Sequence, residues 1–142
     1  MEFPFFVVLL LAAAPRAKAL PLLAGEWELR TTFEMTGPPM TPPPRETVLC
    51  LGAADARDPS RLLAAIPLPE TACRTEDSRI DGSVLSWKAN CSGRYRGRAE
   101  GTLAFSPDRA EGRLRLNVED ARGAAHDVPY RIEGKRTGSC SS

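Results

Sequence analysis

No two of the four cysteines stand in a C-x-x-C spacing, and the single histidine, His126, lies far from all of them. Structural zinc needs several such ligands at close, repeated spacings, so a zinc centre is not expected and no metal is assigned. There is no G-x-S-x-G around any serine and no Gly-rich run ending in Gly-Lys-Ser/Thr, which removes the usual signs of a serine hydrolase or a nucleotide site. Nor is there a long apolar run after the first residues: Phe3 to Ala14 is too short to span a bilayer comfortably.

That first run is followed by Ala17-Lys18-Ala19, a small-x-small cleavage site. Residues 1–19 therefore read as a secretory signal peptide cut after Ala19, although Met1-Glu2 supplies no basic residue ahead of the apolar run. Residues 20–142 then form one domain, with 17 basic and 17 acidic residues once Glu2, Arg16 and Lys18 are gone. A neutral domain lacks the basic excess that captures nucleic acid. Four cysteines behind an export signal, Cys50, Cys73, Cys91 and Cys140, predict two disulfides and a periplasmic or secreted protein. No cysteine closely follows the apolar run, so a lipid anchor is not expected and no transmembrane segment remains after cleavage.

Gly25 to Met35 alternates cleanly, with Trp27, Leu29, Thr31, Phe33 and Met35 on one face and Glu26, Glu28, Arg30, Thr32 and Glu34 on the other. Period two with one charged face predicts a strand lying on a core. Gly37 to Pro44 holds five prolines and predicts a stiff loop, after which Glu46 to Leu51 resumes as a strand. Asp58-Pro59 followed by Leu62, Leu63 and Ile66 predicts one short helix stopped at Pro67. Such a helix is unstable alone and must dock its apolar patch on the sheet.

From Cys73 to Cys91 the chain predicts a hairpin turning at Asp81-Gly82. Alternation returns over Arg94 to Phe105, with Tyr95, Gly97, Ala99, Gly101, Leu103 and Phe105 inward. Leu114, Leu116 and Val118 mark the next strand, and Val128, Tyr130 and Ile132 the last. The fold class expected is all-β and mainly antiparallel: a seven-stranded meander curling into a small barrel or half-barrel, with one short inserted helix. Glycine at Gly97 and Gly101 favours the curl. Of the three connectivities that four cysteines allow, Cys50 with Cys73 and Cys91 with Cys140 is the expected one, clipping the helical excursion at its base and the last strand to the hairpin.

These pieces together resemble a family of small exported bacterial proteins catalogued as domain of unknown function 3617. The resemblance is carried by Gly25-x-Trp27-Glu28, the Met and Pro loop from Met35 to Pro44, Thr47-Val-Leu-Cys50, Asp58-Pro59 with Leu62-Leu63, Cys73, Gly82 to Trp87, Cys91 and Gly134-Lys-Arg-Thr-Gly-x-Cys140. It implies an exported, cysteine-paired β protein and supplies no activity. Relatives often carry several methionines around the proline loop, where this chain has Met35 and Met40.

Four candidate chemistries remain. His126-Asp127 has the form of an oriented base but lacks a nucleophile, so an enzyme is not expected. Met35, Met40 and Cys50 are soft ligands for Cu(I), yet Met35 falls on a core face and Cys50 is expected to be oxidised, so no cofactor is assigned. Arg94, Arg96, Arg98, Arg113 and Arg115 line the outer faces of neighbouring strands, as an anion-binding stripe or an ordinary solvated face. Pro39-Met-Thr-Pro42 is formally a P-x-x-P ligand. The function expected is a non-enzymatic envelope protein holding a small apolar ligand inside the curled sheet. Trp27, Phe33, Trp87, Tyr95, Gly97, Gly101, Phe105 and Tyr130 would face that ligand. The alternative is an envelope module that meets a protein, glycan or anionic membrane through its proline loop or arginines.

Overall fold

The computed structural model describes residues 19–34, 43–68 and 71–141. Residues 1–18 of the expected signal peptide (residues 1–19), Met35, Met40 and the Pro39–Pro42 motif lie outside them. Seven antiparallel strands form one curled half-barrel sheet: β1 (Gly25–Phe33), β2 (Arg45–Leu51), β3 (Thr71–Asp81), β4 (Val84–Gly93), β5 (Arg96–Ser106), β6 (Arg109–Glu119) and β7 (Ala125–Gly138). Their order across the sheet is β2-β1-β7-β6-β5-β4-β3. Strands β3 to β7 make a true meander, and the β1–β2 hairpin is added to its far side by pairing β1 with β7.

The alternation read from sequence is what buries one face. Trp27, Leu29 and Thr31 of β1, Leu85 and Trp87 of β4, Leu103 and Phe105 of β5, Leu114 and Leu116 of β6 and Ile132 of β7 are all buried, while their neighbours in sequence are exposed or half-exposed. The two edges, β2 and β3, do not pair with each other, so the barrel stays open. Edge β3 is shielded from sheet-to-sheet association by polar residues and by a bulge between Thr75 and Asp77.

The chain between those two edges fills the gap. A 3-10 turn (Ala53–Ala56) leads into α1 (Ser60–Ala64), shorter than the helix expected over Asp58 to Ile66. Pro59 occupies the N-terminal cap position, and Asp58 Oδ1 accepts the Ser60 N–H at 3.3 Å. Leu62, Leu63 and Ile66 are buried as expected, and Leu63, Ile66 and Leu68 pack toward Trp87, Ala89, Ala99 and Leu114 on the concave face. Thr31 anchors the exit of the segment, its hydroxyl donating to the Pro67 carbonyl at 2.7 Å.

Two expectations are corrected. Asp81 pairs with Val84, so the turn residues are Gly82-Ser83, one place later than Asp81-Gly82. Gly82 takes φ +60° at the first turn position, which the primed hairpin turns require. The disulfides are Cys50–Cys140 and Cys73–Cys91, not Cys50–Cys73 and Cys91–Cys140. The reason is strand order. Glu26 faces Cys50 on one side and Gly138 on the other, which brings the end of β7 beside the end of β2, and Cys73 faces Cys91 directly within the β3–β4 hairpin.

Candidate functional site

The helical segment fills the half-barrel at one end and leaves the other open. There a cavity of about 440 Å³ lies between the two sheet edges. Strand β1 contributes Thr31 and Phe33, edge β2 gives Arg45, and edge β3 gives Thr71. The β4–β5 connection places Tyr95, and the far wall is Leu116 and Val118 of β6 with His126, Val128 and Tyr130 of β7. These last five share a face because they sit two residues apart on paired strands, Leu116 opposite Val128 and Val118 opposite His126. The Phe33 and Tyr130 rings meet edge to face at 5.8 Å, and Tyr95 meets His126 in the same way at 5.9 Å.

Most of the polar lining is already engaged. Thr31 is bound to Pro67, and the Thr71 hydroxyl lies 3.0 Å from the Ser92 carbonyl and 2.8 Å from that of Tyr95. His126 Nε2 lies 2.9 Å from Asp120 Oδ2. Asp120 also accepts the N–H groups of Arg122 and Ala124 at 2.9 and 3.0 Å. Its carboxyl is held below the usual value, first by the hydrogen bond to His126 and then by that from Ala124. Tyr130 is different. It is only 9% exposed, and no hydrogen bond to its hydroxyl occurs among the described residues. Burial pushes its phenol up, partly opposed by the positive charge of Arg45.

Of the eight residues expected to face a ligand, Phe33, Tyr95 and Tyr130 line this cavity. Trp27 and Phe105 are core, the Trp27 indole N–H donating to the Leu23 carbonyl at 2.9 Å. Trp87 lies beneath the helical segment and covers Gly101, and Gly97 sits between Cys91 and Val118 without lining the cavity. Sequence reasoning missed Arg45, whose one signal is its position where β2 resumes after the prolines. It also left Leu116, Val118 and Val128 as core, since the pattern marks an inward residue without saying whether anything stands over it.

The His126-Asp127 pair is not assembled. Adjacent strand residues point to opposite faces, so Asp127 turns outward to Arg115 at 3.5 Å and Asp120 is the residue that meets the imidazole. Cys50, in its disulfide, has no thiolate to offer a soft metal. Among the described residues no cluster of three or more His, Cys, Asp or Glu could hold a metal ion. No helix there is long and apolar enough to cross a membrane.

The arginines are interleaved with carboxylates. Arg96 faces Glu119 and Arg115 faces Glu100 across the β5–β6 pair, while Arg113 reaches Glu34 at 3.7 Å. Arg98 faces Asn117, and Arg94 lies in the β4–β5 connection rather than on a strand. A shallow groove of about 540 Å³ on this face takes in Arg79, Lys88 and Glu100 as well, with Lys88 and Glu100 3.8 Å apart. It is a surface of alternating sign.

Two disulfides fit an oxidising, extracytoplasmic environment. Comparison with curated proteins and with solved structures finds no match. A family profile does match, over residues 22–140, and it spans every strand and both disulfides: the chain belongs to the family described as Protein of unknown function (DUF3617).

Proposed function

We propose that this is a non-enzymatic protein of the bacterial periplasm that holds a small apolar molecule in the open end of its half-barrel. The observation that carries this reading is the cavity between Phe33, Leu116, Val118, Val128 and Tyr130, about 440 Å³ in a domain whose other end is packed solid. Small-molecule sites of ~300–1,000 Å³, walled by apolar side chains with a few polar groups, are the usual form of such pockets. The charged outer face supports partner binding less well, because its arginines are matched by carboxylates at short range.

The test is binding of the neutral fluorophore N-phenyl-1-naphthylamine to the disulfide-bonded protein, with Val118→Trp as the variant that fills the cavity. Wild type should enhance the dye's emission saturably and the variant should not. A wild-type protein with no saturable enhancement, or a variant that binds as well, would remove the ligand reading. A native mass spectrum of protein taken from its own periplasm would then weigh the molecule carried.

A further inference from the structure

The cavity has a polar end, and it narrows the class of ligand. Arg45, exposed at the rim, is matched with no carboxylate among the described residues, whereas Arg30, one strand away, is 3.7 Å from Glu46. Opposite stands Tyr130, a largely buried residue whose hydroxyl has no hydrogen-bond partner among those residues. Arg45, Tyr95 and Tyr130 all line the same cavity.

The phenol O–H is a donor that no described residue accepts from, so it is free to meet a ligand. A guanidinium in the lining of the same cavity offers a fork of donors suited to a planar anion. Apart from His126, whose Nε2 is engaged by Asp120, the remaining wall of Phe33, Leu116, Val118 and Val128 is apolar and calls for hydrocarbon. The hydroxyls of Thr31 and Thr71 are committed to backbone carbonyls and do not compete.

We infer that the cavity takes a short-chain amphiphile with a carboxylate head, its head between the Arg45 guanidinium and the Tyr130 hydroxyl and its alkyl chain along Phe33, Leu116, Val118 and Val128. This rests on the ligand reading above and adds the charge and polarity of the ligand to it. The cavity is at the small end of the range for such sites, which favours a chain well below the length of a membrane lipid.

The experiment compares octanoate with octan-1-ol by isothermal titration calorimetry at neutral pH, on the disulfide-bonded protein. Wild type should bind octanoate about tenfold more tightly than the alcohol, the scale of one charge-assisted contact at a partly exposed site. Arg45→Gln, a change at an exposed position that leaves the core untouched, should bring octanoate down to the alcohol's affinity and leave the alcohol unchanged. Tyr130→Phe should lower octanoate binding by a smaller factor. Equal binding of the two compounds by wild type, or an octanoate preference that survives Arg45→Gln, overturns the carboxylate assignment while leaving an apolar site in place. If neither compound binds, the ligand reading falls and this inference with it.

Discussion

The indole of Trp87 occupies the space in which a side chain at Gly101 would stand. The two residues face each other across the β4–β5 pair, and a Cβ on Gly101 would come within 3.0 Å of three indole atoms. The bare stretch of wall at Gly101 is thus covered by the Trp87 indole, and both residues also line the groove of about 540 Å³ that takes in Lys88 and Glu100. Gly101→Ala should therefore destabilise the fold by about 1–3 kcal/mol, the cost of forcing a packed aromatic aside. Urea unfolding measures it, and a variant as stable as wild type would contradict this packing.

The disulfides should contribute unequally. Cys50–Cys140 are 90 residues apart in sequence and Cys73–Cys91 are 18 apart. Loop-closure entropy gives upper values of ~4.6 and ~3.2 kcal/mol for such rings. The hairpin already holds Cys73 opposite Cys91, which lowers the second value further. Replacing Cys50 and Cys140 by Ala should lower Tm more than replacing the hairpin pair, and non-reducing peptide mapping should recover Cys50 joined to Cys140. The reverse order of Tm values would count against the ring argument.

What sequence made legible here is what repeats locally. The two-residue period of Trp27, Leu29 and Thr31, or of Leu114, Leu116 and Val118, dictates which side chains are buried whatever the strand order. Register is harder. Asp81-Gly82 and Gly82-Ser83 both suit a tight turn, and the choice falls to pairing: the observed turn sets Ile80 opposite Leu85, whereas a slip of one would oppose Leu85 to Ser78. Strand order was least legible, because the β1–β7 pairing joins residues about a hundred positions apart and leaves no local trace, and the disulfide connectivity depends on it. The same gap hid Arg45. Nothing near it reveals that its strand becomes a free edge beside an open end.

Thr31 ties sheet to helix. Its side chain is 2% exposed and donates to the Pro67 carbonyl at the exit of the helical segment. Thr31→Val keeps the shape and deletes the donor, leaving a carbonyl without its partner, so about 1–3 kcal/mol should be lost. Amide exchange at Leu63 and Ala65, whose N–H groups close the helix, should quicken more than exchange at Leu103 in the sheet. Uniform acceleration at all three would mean that Thr31 supports the fold at large and not this junction.

Asp120 organises the β6–β7 turn through its carboxylate, which accepts from Arg122, Ala124 and His126. Because its folded pKa lies below the ordinary 3.8, the turn's stabilisation by this group is complete above that value and is lost as pH falls through the lowered one. The Arg122 and Ala124 amide resonances should titrate together below the usual carboxylate range. In Asp120→Asn that shared titration should vanish, and its persistence would assign it to another group.

Tyr130 gives the opposite dependence at the other end of the scale. Its phenol is raised above 10.0 by burial, so the folded state keeps a proton that the unfolded chain gives up near that value. The stabilisation from this group is complete below pH 10 and is lost as pH rises through the raised value. The chain has two tyrosines, Tyr95 and Tyr130, so the phenolate absorbance of wild type minus that of Tyr130→Phe isolates a single titration. That curve should lie above 10, and octanoate should move it further up, since a carboxylate accepting the phenol's proton in a hydrogen bond disfavours ionisation. A midpoint at or below 10 would show the hydroxyl to be solvated and not buried against the cavity.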